Sequence, residues 1–348
     1  MKIQTLSLYS YNLPLANDQM RSGILLNVTY EQGNGGWGDI APLPNWSKET
    51  LEESLQQLNQ KQHEIVKIDW AARTCLDELA KLKLLPAVSF GLESALLSIL
   101  DPLSPYIVPT SALLMGSPQE IFEQATLRHK EGFTSAKLKV SNLTFEEAAH
   151  VIHELKDKFR LRIDVNRAWN TADSLHFFSQ FPLDTFDYVE EPFQNPNDLA
   201  QFPHPLAVDE SFPQDLSLAE LETFPTLKAL IYKPTIQGGM LGCLPLHEWT
   251  AERGISLVLS SSFESELGLA HIVSIAHRLS LSAPIGIGTY HHLSDYVCAI
   301  PLQFYHSIVH IPKSVRPDMN KISRIDVEAS NSSALGELAP GHADTLSR

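Results

Sequence analysis

The chain has 348 residues, enough for a domain of about 200–250 residues plus a smaller one, with 43% hydrophobic and 19% charged content, as in ordinary soluble globular proteins. A formal net charge of −15 and a pI near 5.3 argue against non-specific nucleic-acid binding and against a basic helix lying on a membrane. Three cysteines, Cys75, Cys243 and Cys298, stand far apart without a CxxC pair, which fits reduced thiols in the cytoplasm better than a disulfide scaffold or a zinc site.

The start, MKIQTLSLYSYNLPL, lacks a basic region followed by a long apolar run, and no stretch approaches ~18 uninterrupted apolar residues, so a soluble cytoplasmic protein is expected. Residues 2–11 alternate like a strand, 22–30 read as a second strand, and GNGGWGD (33–39) as a tight turn feeding a third. Between the first two strands, LANDQMRSG (15–23) is polar and is a candidate lid. A helix is predicted from Ser47 as N-cap, with Thr50 where a capping box prefers Glu. The helical pattern breaks near Lys67–Trp70, continues to about Leu85, and resumes after Pro86 over roughly 88–100. Three strands followed by helices describe an α+β domain over residues 1–105.

From VPTSALLM (108–115) onward the pattern changes to strand then helix, repeated. Strands are predicted at 108–115, 136–140, 161–165, 187–190, 206–209, 229–233, 256–260 and 284–287. Helices are expected at 118–131, 144–158, 171–180, 215–222, 240–252 and 265–279, with Gly132 and Gly254 at helix C-caps. This alternation is that of a parallel α/β barrel over 106–294. Part of 295–325 is expected to rejoin the first domain, and 326–348 reads as a flexible tail.

Five of these segments carry charges that a core strand has little reason to carry: SAKLKV, LRIDVN, DYVEEP, LAVDES and LIYKP. From Lys139 to Asp164, Glu190, Asp209 and Lys233 each step is roughly two dozen residues, one strand plus one returning helix. In a parallel barrel all strand C-termini converge on one face, so these side chains meet. A single carboxylate after a strand is ordinarily a turn or N-cap residue. Three at successive apolar strand ends make an oxygen-rich site suited to Mg²⁺. Lys137 and Lys139, two apart, share one face of their strand. A lysine near its usual pKa of about 10.4 cannot accept a proton, but a metal, a neighbouring lysine and burial all favour its neutral form.

The ordered set KxK, DxN, EEP, DES and KP resembles the enolase superfamily. With GGWGDIAPLPNWSKET (35–50), SFGLESALL (89–97), IDVNRAW (163–169) and SSSFESELGLA (260–270), it most resembles the o-succinylbenzoate synthase family in the muconate-lactonizing-enzyme-like subgroup. The likeness runs from about Leu13 to about Tyr290. It implies a (β/α)7β TIM-like barrel with an α+β capping domain, and a specificity loop at 15–23. It implies a metal-dependent lyase, dehydrating 2-succinyl-6-hydroxy-2,4-cyclohexadiene-1-carboxylate to 2-succinylbenzoate in menaquinone biosynthesis. Asp164, Glu190 and Asp209 are then the metal ligands, for Mg²⁺ with Mn²⁺ as substitute. Glu190 is the ligand of the EEP pair, and strand alternation turns Glu191 to the other face. Lys139 is the expected base, with Lys137 beside it, and Lys233 the cation facing the enolate.

Arg162 and Asn166 share parity with Asp164 and are candidate supports of ligands or substrate. Backbone N–H groups of Ser260, Ser261 and Ser262, ahead of a helix near Glu264, could hold a substrate carboxylate, and Gly288 allows close backbone approach. The adjacent pair His291-His292 is rejected as a metal site, because neighbouring side chains point apart. The partner is a small carboxylate substrate, with no nucleic acid or membrane, and the protein is a monomer or a dimer. The same lysines serve racemases or epimerases of acylated amino acids or dipeptides and cycloisomerases, so those alternatives stay open, as does a catalytically silent binding barrel.

Overall fold

The computed structural model describes residues 1–15, 19–30, 35–103, 106–312 and 314–325. Strands β1 (Ile3–Pro14), β2 (Met20–Tyr30) and β3 (Gly35–Ile40) form an antiparallel meander, and the helices α1 (Leu51–Lys67), α2 (Cys75–Leu82) and α3 (Pro86–Leu100) pack over it. Their shared core holds Ile24, Leu26, Val28, Leu58, Trp70 and Leu92 among its buried residues.

Helix α1 starts three residues later than predicted. Thr50 accepts from Glu53 N–H while the Glu53 carboxylate accepts Thr50 N–H, a complete capping box that Ser47 lacks. Ser47 instead closes the preceding turn by accepting from Leu43 N–H.

The GGWG run also differs from its expected role. Gly35 to Asp39 lie in β3, and residues 31–34 lie outside the described residues. The glycines admit α3 against the strand: a β-carbon on Gly38 would sit 1.8 Å from the Gly91 carbonyl oxygen. Gly38→Ala is therefore expected to cost at least the ~1–3 kcal/mol typical of an overpacked core. An unchanged urea midpoint would contradict this close approach.

Of the predicted lid at 15–23, Met20 to Gly23 belong to β2, and residues 16–18 lie outside the described residues. Arg21 is almost wholly buried, donating to the carbonyls of Ala41 and Pro42. Its polarity serves a buried hydrogen-bonded role that composition alone cannot distinguish from a loop.

The barrel region runs β4 (Tyr106–Pro109), β5 (Ala112–Leu114), α4 (Pro118–Lys130), β6 (Ser135–Lys139), α5 (Phe145–Leu155), β7 (Arg160–Asp164) and α6 (Thr171–Phe178). It continues with β8 (Phe186–Glu190), β9 (Leu206–Val208), α7 (Leu218–Leu221), β10 (Leu227–Tyr232), α8 (Pro234–Gln237), α9 (Gly239–Glu252), β11 (Ser256–Leu259) and α10 (Glu266–Arg278). Strands β5 to β11 form one parallel seven-stranded sheet in sequence order.

Two strand predictions are corrected here. The segment 108–115 is split at Thr110 and Ser111 into β4 and β5. The segment 284–287 forms no strand; Ile285 and Gly286 make single parallel bridges to Thr110 and Ser260. Pro284 and Gly286 leave that run short of one amide donor and one side chain, which weakens a ladder. Those bridges still span the gap between the two edge strands, with Ser111 N–H donating to Ile285 O and Gly286 N–H to Leu259 O.

After the barrel region, β12 (Gln303–Tyr305) and β13 (Ile308–Ile311) pair antiparallel, and β13 pairs with β4. Finally β14 (Ser323–Ile325) pairs with β1. Residues 326–348 lie outside the described residues. Gly132 and Gly254 have left-handed φ of 83° and 66° after α4 and α9, as helix C-caps require. All three cysteines are free and buried. Among the described residues no helix is long and apolar enough to cross a membrane.

Candidate active site

The register of the parallel sheet makes the site. Lys139 on β6 lies opposite Asp164 on β7, and Asp164 opposite Glu190 on β8. Asp209 follows β9 and Lys233 follows β10, so the row continues around the strand ends. Lys137, Lys139, Asp164, Asn166, Asp209 and Lys233 all line one cavity of about 190 Å³. Its walls include Leu43 and Trp46 from the N-terminal unit, and Ser260, Ser261, Ser262, Gly286 and Gly288 from the far side.

The carboxylates are buried, which is costly without compensation. Lys137 Nζ lies 2.8 Å from Asp164 Oδ2 and 2.7 Å from Glu190 Oε1, bridging the two. Asp209 pairs with Lys233 Nζ, which also stands 4.7 Å over the Trp46 ring. Glu190 Oε2 and Glu210 Oε2 are buried without a hydrogen-bond partner among the described residues.

Glu190, Asp209 and Glu210 each bring one oxygen within 4.8 Å of the others. The sequence reading passed over Glu210, and Asp164 is drawn instead toward the Lys137 ammonium. An all-oxygen donor set that includes the buried, unpartnered Glu190 Oε2 and Glu210 Oε2 is the chemistry that fits a hard divalent cation. Glu191, just past β8 and with a left-handed φ of 46°, is not among the residues lining the cavity. Its carboxylate accepts from Asp209 N–H at 2.8 Å and from Ser211 N–H at 3.0 Å, holding the turn that presents Asp209.

Burial pushes the Glu210 carboxyl up to about 8, with Asp209 and Glu191 adding repulsion. Burial raises Glu190 well above the usual carboxylate range, and Asp164 beside it adds to this. For Asp164 burial is outweighed by Lys137 and Lys139, which hold it below that range.

The three lysines differ in the same way. Burial disfavours the charge on each. At Lys137 that effect is overcome by Asp164, Glu190 and Asp209, and at Lys233 by Asp209 and Glu210, so both pKa values rise. At Lys139 burial prevails over the pull of Asp164, with Lys137 and Lys233 adding repulsion, and the pKa falls below its ordinary 10.5. Lys139 makes no ion pair among the described residues. A lysine so placed can act as a proton acceptor.

The other predicted residues divide. Asn166 reaches the cavity from a left-handed φ of 48° and donates its N–H to Asp164 Oδ1 at 3.0 Å. Arg162 does not reach it. Its guanidinium is buried inside the sheet, 2.9 Å from Asp187 Oδ2, 2.7 Å from Pro284 O and over the Tyr188 ring.

Ser260, Ser261 and Ser262 line the cavity, but their N–H groups are already used. They donate to Tyr232 O, Gly286 O and Glu264 Oε2 respectively. Helix α10 begins at Glu266, later than expected, and its N-cap Ser265 N–H donates to Asp39. The feature left for a ligand is the buried, unpartnered Ser262 hydroxyl. Gly288 is packed so tightly that a β-carbon would lie 2.5 Å from the Leu113 side chain. His291 and His292 do not line the cavity; His291 lies against Arg128, and burial pushes it down to about 3. Trp46 was not singled out from sequence, nor Glu210 as a ligand, although the turn PLPNWS carries an aromatic and Glu210 adjoins a predicted ligand.

Comparison with known proteins bears on this geometry. The family described as MenC, N-terminal domain, matches residues 3–99, and the Enolase C-terminal domain-like family matches residues 120–317. The chain is 30% identical over 300 residues to the o-succinylbenzoate synthase of Edwardsiella ictaluri (strain 93-146), covering 81% of this chain and 89% of that one. It is 29% identical over 318 residues to the o-succinylbenzoate synthase of Pasteurella multocida (strain Pm70), covering 84% and 91%. The structure is similar to the crystal structure of MenC from Desulfotalea psychrophila LSv54, with a TM-score of 0.71 at 21% identity, covering 89% of this chain and 100% of that one.

Proposed function

The chain belongs to the o-succinylbenzoate synthase family of the enolase superfamily, and on that footing we propose that Lys139 is the base of a metal-dependent dehydration at the cavity described above. The observation that carries this reading is the contrast among the lysines: Lys137 and Lys233 are held charged by carboxylates, and Lys139 alone is biased toward the free amine.

The substrate in this reading is 2-succinyl-6-hydroxy-2,4-cyclohexadiene-1-carboxylate. Lys139 removes the proton on the carbon bearing the carboxylate, and the electron pair passes into that carboxylate as an enolate. Lys233 faces the growing charge as a cation, held in place by Asp209 and Trp46. The β-hydroxyl then leaves as water, taking the proton that Lys139 has accepted, a ring C=C bond forms, and the ring becomes aromatic. Asp164, Glu190 and Asp209 would hold a divalent cation, Mg²⁺ in this reading with Mn²⁺ able to replace it, and such a cation would supply positive charge opposite the substrate carboxylate. Glu210 stands close enough to adjust that site.

We also read residues 106–294 as a closed (β/α)7β barrel, completed by the bridges at Ile285 and Gly286, with residues 1–105 and part of 295–325 as its cap. The protein is then a cytoplasmic lyase acting on a small carboxylate.

Racemases and cycloisomerases share the lysine pair, but the relatives in sequence do not favour them. A direct comparison separates the readings: kcat/KM for the cyclohexadiene precursor against that for racemisation of N-acyl amino acids. Faster racemisation than dehydration would reject the assignment.

A further inference from the structure

The Lys233 side of the cavity is fastened from outside the barrel. Lys233 is followed by the single turn α8 and by Gly238 with a left-handed φ of 96°, and α9 opens on Gly239, also left-handed at 68°. The carboxylate of Glu93, on α3 of the N-terminal unit, is wholly buried at this junction. Its Oε1 accepts from Met240 N–H at 2.7 Å and its Oε2 from Leu241 N–H at 3.1 Å. His271 Nε2, on α10, lies 2.7 Å from the same Oε1.

Room for this carboxylate exists because residue 239 has no side chain. A β-carbon there would lie 2.7 Å from Oε1 and 2.9 Å from Oε2. On the other side of the turn, the Tyr232 hydroxyl is placed to donate to Gly239 O at 2.9 Å and Gln237 O at 3.0 Å. Gln237 Oε1 in turn accepts the backbone N–H of Lys233 at 2.7 Å. A continuous set of contacts thus runs from Glu93 through Met240, Gly239 and Gln237 to the backbone of Lys233.

We propose that Glu93 is a positioning residue for Lys233, fixing from the N-terminal unit the turn that aims the Lys233 ammonium into the cavity. Glu93 is absent from the cavity wall, so it acts through the turn and touches no substrate. Two amides at the first turn of α9 suit a carboxylate by charge as well as by hydrogen bonding. The proposal rests on the reading of Lys233 as the cation facing the enolate.

The test is a double-mutant cycle. Glu93→Gln replaces one accepting oxygen by a donor that faces an N–H. It is expected to lower kcat on the order of 10²-fold, the scale of a misplaced catalytic group, with KM little changed. Leu96→Ala, in the core beneath the same helix, should lower the thermal midpoint while keeping kcat. In the Lys233→Ala background, Glu93→Gln should lower kcat no further. Gly239→Ala, which drives a methyl group against the same carboxylate, is expected to show the same loss and the same non-additivity, and serves if Glu93→Gln does not fold. Unchanged kcat in these variants, or an undiminished effect in the Lys233→Ala background, overturns the proposal. A Lys233→Ala enzyme at the wild-type rate would instead remove the role of Lys233 itself, a distinguishable failure.

Discussion

Dialysis against EDTA is expected to abolish turnover, and added Mg²⁺ or Mn²⁺ to restore it. Asp164, Glu190 and Asp209 are buried together at adjacent strand ends, with Glu210 partly buried beside them. The two lysines that pair with them are Lys137 and Lys233, and Lys233 is also the cation the proposed chemistry needs at the substrate. A divalent cation resolves that competition by neutralising the acids. Asp209→Asn should therefore raise the Mg²⁺ concentration for half-maximal rate beyond the ~10–100-fold that loss of an outer partner costs a metal site. Glu210→Gln should stay within that range if Glu210 only adjusts the site. Full activity in metal-free buffer would remove this part of the account. Equal loss in both variants would make Glu210 a ligand in its own right.

The second large effect separates the lysines. Lys139→Ala should lower kcat/KM by roughly 10²–10⁴-fold, the usual worth of a general base. Lys139→Arg should be nearly as damaging, since a guanidinium stays protonated and cannot accept a proton. Lys233→Arg keeps a cation near the enolate and should retain more activity than Lys233→Ala.

The pH profile follows from the direction of the Lys139 shift. Burial draws its folded pKa below 10.5, and in the proposed role as base only the deprotonated amine accepts the proton. The rate should therefore climb with pH through that pKa, inflecting below 10.5, and the inflection should vanish in both Lys139 variants. Four kcat/KM values at saturating Mg²⁺, with circular dichroism to check folding, decide the matter. An active Lys139→Arg beside a dead Lys233→Arg would exchange the two roles.

Much of this site was legible because it breaks the rules of a core strand. A carboxylate or lysine at the end of an apolar run has no packing reason to be there, and strand parity alone pairs Lys137 with Lys139. What stayed hidden depends on partners distant in sequence. The N–H groups of Ser260, Ser261 and Ser262 read as free donors, yet Tyr232, Gly286 and Glu264 occupy them. Arg162 has the right parity, but Asp187 and Pro284 hold it within the sheet, away from the cavity. Trp46 comes to Lys233 across the boundary between the two units, a contact no local pattern records. The eighth strand was read from a short apolar run whose proline and glycine leave only single bridges.

The central claim is that this cavity removes a proton next to a carboxylate and expels the neighbouring hydroxyl. The most direct measurement incubates the purified protein with Mg²⁺ and the cyclohexadiene precursor and follows aromatic ring protons by NMR, beside Lys139→Ala under the same conditions. The account predicts stoichiometric 2-succinylbenzoate from the wild type and almost none from the variant. Unchanged precursor with the folded, Mg²⁺-loaded wild type, or equal product from Lys139→Ala, would contradict it.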